Sequence, residues 1–380
     1  MKKYIAIMIM VVLGLSLLVG CTTEQPTTKK VETVKIGYIG PLTGDVAVLG
    51  IDASKSIEVA VEKANAAGGI NGKQIELFME DDQYNTEKTV TAYNKLVNTQ
   101  GVETIIVSTY GGFFAIAERA KNDGVLVVDS LDCDKDIADN LPDNSFCIAK
   151  ETEDLADVIA NYAVEQGFES VGILHATVDQ FMPSVAERFK KTASGIDVSI
   201  EPYTPGTVDF KTQLLKIKDN DALVFLGYDE IGIAIKQADE LGIDKPALTI
   251  PSVATTPPIQ ENSKGTIDGI YFSFYAPLDD NAVAKKFYKD FEAKHGRTPY
   301  VFVASDHAYD TAMILIDEVL PAVNGNTKQS RLQQKIQAMH AVKNYPGVSG
   351  TLTMQDNGRI SGILIRLYQL ENLAPVYVQG

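Results

Sequence analysis

Blocks of apolar residues and blocks of mixed polarity alternate along the chain, and the first pair after residue 33 sets the pattern. Residues 34–39 form an apolar run rich in branched side chains, as in a buried parallel strand, and a turn marked by Gly and Pro follows at 40–44. From 47 to 67, small and apolar residues recur every three or four positions, which predicts a helix. A second strand is predicted at 74–79. This strand–helix–strand unit places its first turn at the carboxyl end of a strand, where open α/β sheets bind ligands.

The same alternation of strands and helices continues to residue 129 and restarts at residue 152, where a second series runs to a strand at 247–250. Regular alternation predicts parallel sheets with helices on both faces. No long flexible linker separates the two series, so they predict two similar lobes packed side by side.

The end of the chain departs from this alternation. After a strand at 270–275, three helical segments at 281–295, 303–319 and 328–341 have no comparable strand between them. These helices need a sheet to cover, and the first lobe is short of helices, so we expect the chain to cross back near 274–277. Apolar runs at 350–354 and 362–368 flank Asn357-Gly358, a preferred hairpin turn. The predicted lobes are residues 34–148 with 276–345, and residues 149–275 with 346–380.

The first 21 residues do not belong to this fold. Lys2 and Lys3 precede an almost unbroken apolar run at 4–18, and small residues then lead to Cys21. The segment resembles a bacterial lipoprotein signal, in which the cysteine is lipidated and becomes the mature N-terminus. An uncleaved membrane helix is the alternative. The polar residues 22–33 are expected to form a flexible tether.

Charge and motifs exclude several classes of function. The chain has 34 basic and 50 acidic residues, a net charge of −16, which argues against nucleic acid and against a polybasic membrane surface. The motifs GxGxxG, GxxxxGK[ST], GxSxG, HExxH and CxxC are absent, so we expect no cofactor, no metal and no catalytic residue. Ser305, Asp306 and His307 are consecutive in a predicted helix, so they point in different directions and cannot form a catalytic relay.

Two cysteines remain once Cys21 is assigned to lipid. Cys133 and Cys147 would lie outside the cytoplasm, where a pair of thiols can oxidise. A disulfide between them is one prediction, and two separate buried thiols are the alternative.

Several segments together resemble the type I periplasmic binding proteins, specifically the branched-chain amino acid and amide group that serves ABC transporters and includes the leucine/isoleucine/valine-binding proteins. They occur in the expected order over residues 34–370: IGYIGPLTGDVAVLG, AAGGINGK, IELFMEDDQYN, VGILH, TPGTVDFKTQL and GIYFSFYAP. The resemblance implies two Rossmann-like lobes, joined by three crossover strands, that close around a small-molecule ligand. It implies an ABC permease and ATPase as partners, with the membrane reached through Cys21, and we expect a monomer.

The resemblance also places residues at the ligand cleft by their position at strand ends. The first lobe is expected to contribute Thr43, Leu49, Ser108, Thr109, Tyr110, Gly111, Leu131, Asp132 and Cys133, and the second lobe Thr177, Phe181, Tyr228 and Ser252, with Tyr275 at the hinge. Amino-acid binders of this group hold the ligand ammonium with an acidic residue near the position of Ser252. Here either Asp132 takes that role from the other lobe, or the ligand lacks an ammonium.

The sequence therefore predicts a lipid-anchored substrate-binding protein of an ABC importer for an amino acid or a similar small polar molecule. Two alternatives remain at this stage. One is a ligand-sensing lipoprotein that signals to a receptor or regulator, and the other is an extracytoplasmic dinucleotide enzyme.

Overall fold

The computed structural model describes residues 32–131, 141–149, 152–178, 181–275, 281–363 and 365–378. The chain divides into two units, Met1–Thr33 and Val34–Gly380. All of the helices and strands described below belong to the second unit. Within the described ranges no helix is long and apolar enough to cross a membrane, and the predicted signal at 1–21 lies outside them.

The first sheet has five parallel strands in the order β2-β1-β3-β4-β5. β3 and β4 are buried along their whole length, as expected for parallel strands covered on both faces. A π-helical turn, Lys95–Gln100, extends α2. The elements are β1 Val34–Gly40, α1 Ala47–Ala66, β2 Ile75–Asp81, α2 Thr86–Asn94, β3 Thr104–Val107, α3 Tyr110–Asp123, β4 Leu126–Asp129 and β5 Ser145–Cys147.

The second sheet repeats this arrangement. Its parallel part has the strand order β7-β6-β8-β9-β10. The elements are α4 Thr152–Glu165, β6 Ser170–Ala176, α5 Phe181–Thr192, β7 Asp197–Tyr203, α6 Lys211–Ile217, β8 Ala222–Leu226, α7 Ile231–Glu240, β9 Ala247–Thr249, α8 Pro251–Ala254, α9 Pro257–Ser263 and β10 Tyr271–Tyr275.

The last part of the chain returns to the first sheet. α10 and α11 pack against α1, and α12 packs against β4, which is the arrangement that a return crossing after β10 requires. Asn281 and Thr327 cap α10 and α12 with their side chains. The elements are α10 Ala282–His295, α11 Phe302–Ile314 with its continuations Leu315–Val319 and Leu320–Ala322, α12 Lys328–Ala341, β11 Tyr345–Pro346, β12 Gly350–Met354, β13 Ile360–Ile363, β14 Ile365–Glu371 and β15 Ala374–Tyr377.

The C-terminal hairpin is present, but the prediction of one strand over 362–368 is wrong. β12 and β13 pair antiparallel, β13 ends at Ile363, and β14 then pairs with β10 of the second sheet. The hairpin lies beside β5, where the Cys147 N–H donates to the Gly358 carbonyl at 2.9 Å. Gly362 has φ +100, and a Cβ there would lie 1.9 Å from the Thr351 carbonyl oxygen, so this tight passage requires glycine. The exact lobe boundaries stay a prediction.

The predicted α/β fold with two Rossmann-like lobes is confirmed. In each sheet the first strand lies between the second and the third, as β2-β1-β3 and as β7-β6-β8. Open α/β sheets bind ligands at the carboxyl ends of the strands beside such a switch in strand order. The fold therefore indicates a ligand site at the loops after β1, β3, β6 and β8.

Candidate functional site

A small cavity lies between the two lobes and receives side chains from both of them. Its volume is about 30 Å³. The first lobe supplies loop and helix residues that follow β1, β2 and β4 or begin α11, and the second supplies residues of α4, α5 and α8 and the residue two positions beyond β8. The lining residues are Leu49, Tyr84, Leu131, Val301 and Val303 from the first lobe, and Leu155, Phe181, Met182, Tyr228, Pro251 and Ser252 from the second.

The lining is almost wholly aliphatic and aromatic, so it suits an apolar group. A cavity needs a volume of roughly 10–15 Å³ to hold one water molecule, so a cavity of 30 Å³ has room for about two. A molecule as large as an amino acid therefore enters only when the rings or the lobes that close the cavity move apart.

A second, smaller cavity adjoins the first and carries a carboxylate. It shares Leu49, Tyr228 and Ser252 with the first cavity, has a volume of about 10 Å³ and is also lined by Asp229. Burial raises the pKa of Asp229 to about 6, and the negative charges of Glu230 and Asp45 add to this shift. The Ser252 hydroxyl oxygen is buried and has no hydrogen-bond partner within the described part of the chain. Two polar groups of the second lobe thus lie next to an apolar cavity.

The loop after β1 is held by Asp81, the last residue of β2. Its carboxylate accepts the Leu42 N–H at 2.8 Å, the Thr43 N–H at 3.2 Å and the Thr43 hydroxyl. Burial acts to raise the pKa of Asp81, but these hydrogen bonds outweigh it and the pKa is lowered. Thr43 is exposed and does not line either cavity. Its hydroxyl stabilises the loop in this structure.

The neighbouring Asp82 holds the next loop in an unusual conformation. Asp82 is fully buried and accepts the Tyr84 N–H at 2.9 Å and the Thr89 hydroxyl at 2.8 Å. Gln83 and Tyr84 both have left-handed backbone angles, with φ +53 and +56. The Tyr84 ring meets Tyr228 of the second lobe edge to face, with the ring centroids 6.2 Å apart. The acidic end of β2 therefore fixes the backbone of a residue whose aromatic ring lies at the lobe interface.

The structure brings together five of the residues predicted from position, namely Leu49, Leu131, Phe181, Tyr228 and Ser252. The other predicted residues do not line this cavity, or lie where the structure does not describe them. Ser108, Thr109 and Tyr110 are buried at the end of β3 with Gly111 beside them, and Thr177 is exposed and donates its hydroxyl to the Tyr203 carbonyl at 3.0 Å. Tyr275 is the last residue of β10, whereas Asp132, Cys133 and Cys21 lie outside the described residues.

Sequence reasoning missed six lining residues. Met182 and Pro251 directly follow or precede predicted residues, so adjacency alone could have found them. The other four are Tyr84, Leu155, Val301 and Val303. No local sequence pattern indicates them, because they reach the cavity through a left-handed turn or from distant parts of the chain.

Cys147 is buried at the end of β5 and is disulfide-bonded. The alternative of a free thiol at this position is therefore wrong. Cys133, the predicted partner, lies outside the described residues. The pairing of these two cysteines stays a prediction.

Comparisons with known proteins agree on one family. The model of the periplasmic binding protein family matches residues 33–371. A Leu/Ile/Val-binding protein homolog from Brucella melitensis is 27% identical over 341 residues, which cover 86% of this chain and 89% of the relative. A leucine-, isoleucine-, valine-, threonine- and alanine-binding protein from Pseudomonas aeruginosa is 27% identical over 225 residues, covering 56% of this chain and 59% of the relative.

Solved structures show the same fold. The branched-chain amino acid transporter substrate-binding protein LivJ from Streptococcus pneumoniae, in complex with isoleucine, has a TM-score of 0.79 and 24% identity, covering 90% of this chain and 98% of the other. A solute-binding protein from Rhodopseudomonas palustris, in complex with benzoate, has a TM-score of 0.78 and 19% identity, covering 91% and 96%.

The family model spans most of the chain and matches a family of solute-binding proteins, not of enzymes. The hypothesis of a dinucleotide enzyme is therefore wrong. With a cavity between two Rossmann-like lobes and this match over residues 33–371, the chain belongs to the periplasmic binding protein family.

Proposed function

We propose that this protein is the lipid-anchored, extracytoplasmic substrate-binding component of an ABC importer, and that it binds an amino acid or a similar small organic ligand by closure of its two lobes. The observation that carries the proposal is the cavity with one wall from each lobe, next to the points where the strand order switches. The names of the relatives support an amino acid with an apolar side chain as the ligand.

We expect the lobes to close on the ligand because each lobe contributes one wall of the cavity. Leu49, Leu131 and Val301 face the cavity from one lobe, and Phe181 and Tyr228 face it from the other. A ligand buried between them contacts both walls only in the closed state, so it stabilises that state by the difference in contacts. Moving a two-state hinge from mostly open to mostly closed takes about 5 kcal/mol of such differential binding. A permease can then distinguish loaded from empty protein by its shape.

The apolar lining supplies part of this free energy. Burial of a side chain the size of valine or leucine is worth about 1.5–3 kcal/mol. Charge-assisted hydrogen bonds to the polar end of the ligand are worth about 1.5–3 kcal/mol each. A few such contacts together reach the amount that closure requires.

The lipid anchor rests on the sequence at Lys2 to Cys21 alone. The anchor would hold the protein at the membrane that contains the permease, with residues 22–33 as tether. A Cys21→Ser variant should lose incorporation of labelled fatty acid and leave the membrane fraction, and a variant that still acquires lipid would contradict this part of the proposal.

A thermal-shift screen tests the binding function. The full chain, solubilised in detergent, is heated with leucine, isoleucine, valine, phenylalanine, benzoate or acetamide. A ligand at 100 times its Kd stabilises the native state by about 2.7 kcal/mol, which raises the melting temperature. We expect at least one of the branched-chain amino acids to do so, with glucose as a control that does not. If no compound of the panel shifts the transition, the proposal for small organic ligands of this kind fails.

A further inference from the structure

We infer that Tyr84 is a specificity-determining residue of the first lobe, which closes over the apolar group of the ligand opposite Tyr228 and limits the size of that group. The inference rests on the proposed function. Within the ligands with an apolar group that the proposed function expects, it assigns the selection by size to one side chain.

The first support is the contact between the lobes. Tyr84 follows β2 of the first sheet and Tyr228 follows β8 of the second, yet their ring centroids are 6.2 Å apart with an interplanar angle of 63°. Both rings line the same cavity. An edge-to-face pair is favourable with centroids about 4.5–7 Å apart, so the two rings lie toward the upper end of the range. A ligand between the lobes therefore meets these two rings.

The second support is the way in which the first lobe fixes Tyr84. The buried Asp82 carboxylate accepts the Tyr84 N–H, and the Asp82 carbonyl accepts the Asn85 N–H at 2.9 Å. The Asn85 side chain in turn accepts the Lys88 N–H at 3.1 Å and caps α2. Left-handed angles at a residue with a large side chain are uncommon and persist where surrounding bonds enforce them. The backbone that carries the Tyr84 ring is thus held in place by the lobe, which keeps the ring at this point of the pocket.

The third support is the chemistry of the remaining wall. Leu49, Leu131 and Leu155 are aliphatic, as are Val301 and Val303. These five side chains contact a branched apolar group without offering it hydrogen bonds, and Ser252 adds a hydroxyl to the same wall. Because the cavity has a volume of only about 30 Å³, the Tyr84 ring occupies space that a larger group would need. Removal of this ring should therefore favour larger ligands over smaller ones.

The test compares three variants with the wild-type chain by titration calorimetry with L-valine, L-leucine and L-phenylalanine. Tyr84→Phe keeps the ring and should bind as the wild type does. Tyr84→Ala should bind valine and leucine at least about tenfold more weakly, and the ratio of phenylalanine affinity to valine affinity should rise by about tenfold, as expected for a changed apolar pocket.

Tyr271→Ala is the matched control, since Tyr271 is a half-buried tyrosine that packs against Tyr162 within the second lobe, with ring centroids 4.8 Å apart. It should leave the order of preference unchanged.

A fourth variant covers the case in which Tyr84→Ala fails to fold. The chain contains no tryptophan and 16 tyrosines, so Tyr84→Trp introduces a single tryptophan at the inferred contact, which can be excited selectively at wavelengths where tyrosine does not absorb. Its emission should change on saturation with a ligand that binds, and its larger ring should weaken phenylalanine binding more than valine binding.

The outcomes separate the inference from the proposed function. If the wild type binds one of the three amino acids while Tyr84→Ala binds with unchanged affinity and unchanged preference, the inference is overturned and the proposed function stands. An unchanged Tyr84→Trp emission at saturation overturns it equally. If the wild type binds none of the three but binds another compound of the thermal-shift panel, the proposed function stands and the inference fails. If it binds no compound of that panel, both fail.

Discussion

Asp52 in α1 and Arg297 in the loop before α11 form a buried ion pair that joins two segments far apart in the sequence. The Asp52 side chain is fully buried and accepts a hydrogen bond from the Arg297 guanidinium. The same carboxylate accepts the backbone N–H groups of Tyr300 at 2.6 Å and Val301 at 2.7 Å. Val301 lines the cavity. Asp52 thus fixes one wall of the candidate site.

We expect an Asp52→Ala substitution to lower the free energy of unfolding by about 3–5 kcal/mol, because it leaves a largely buried guanidinium and two backbone donors without their acceptor. Urea unfolding of both proteins measures the difference. Asp219→Ala is the control, since it removes an ion pair with Lys218 in which the Asp219 side chain is 86% exposed. It should cost less than about 1 kcal/mol. Equal losses for the two variants would contradict a structural role for the buried pair.

The fold could be predicted from the sequence because each signal that defines it is local. Apolar runs marked the strands, three- and four-residue spacing marked the helices, and Gly and Pro marked the turns between them. The return of the last three helices to the first lobe also followed, since they needed a sheet to cover. Residues at strand ends, such as Leu131 and Tyr228, could be placed at the cleft because parallel strands end at one edge of a sheet.

The rest of the site depends on contacts that no local pattern records. Val301 reaches the cavity because Asp52, 249 residues earlier, holds its backbone. Tyr84 reaches it because Asp81 and Asp82 accept the N–H groups of two consecutive left-handed residues, Gln83 and Tyr84, a conformation that is uncommon at tyrosine. The division of the segment 362–368 between two sheets is likewise set by the crossing between lobes and not by its apolar pattern.

Asp306, buried in α11, should make stability depend on pH. Burial raises its pKa well above the usual value, the negative charge of Asp310 adds to this, and the hydrogen bond from the Tyr288 hydroxyl at 2.8 Å only partly offsets it. Above pH 4 the unfolded chain releases this proton while the folded protein retains it, so folding takes up a proton. The contribution of Asp306 to stability is therefore largest below the unfolded pKa and falls as the pH rises toward the folded pKa, by up to about 1.4 kcal/mol per unit.

An Asp306→Asn variant cannot release a proton and can still accept the Tyr288 hydrogen bond. Relative to wild type, its free energy of unfolding in urea titrations between pH 4.5 and pH 7.5 should increase with pH until the pH passes the folded pKa of Asp306. Asp356→Asn, at an exposed position in the hairpin turn, is the control and should follow wild type across this range. A constant difference between Asp306→Asn and wild type would show that Asp306 is ionised in the folded protein.

The disulfide at Cys147 should contribute to stability through the loop that it closes. If Cys133 is its partner, the loop has about 15 residues, and the loss of chain entropy in the unfolded state corresponds to about 3 kcal/mol. Cys133→Ser should lower the free energy of unfolding by about this amount and expose one reactive thiol in the unfolded protein. Reduction of the wild type with dithiothreitol should reproduce the loss. A Cys133→Ser protein that still lacks a free thiol would refute the pairing.

Asp229 should make the binding of amino acids depend on pH, if it supplies the negative charge that faces the ligand ammonium. Burial, together with the charges of Glu230 and Asp45, raises its pKa to about 6. Below that pH the carboxyl group is protonated and neutral, so a bound ammonium has no counter-charge and must displace the proton. The affinity for leucine should therefore rise between pH 5 and pH 7, by up to about tenfold per unit below the pKa. Above pH 7 it should level off.

Asp229→Asn should flatten this dependence and weaken leucine binding at pH 7, while 4-methylpentanoate, which has the same side chain without the ammonium, should not gain affinity as the pH rises. Asp239→Asn, at an exposed position on α7, is the matched control and should behave as wild type. Titration calorimetry at four pH values measures each case. The competing assignment is Asp132 of the first lobe. If Asp132→Asn flattens the dependence and Asp229→Asn leaves it intact, the ammonium is held from the first lobe, and the raised pKa of Asp229 reflects only its burial beside two other acids.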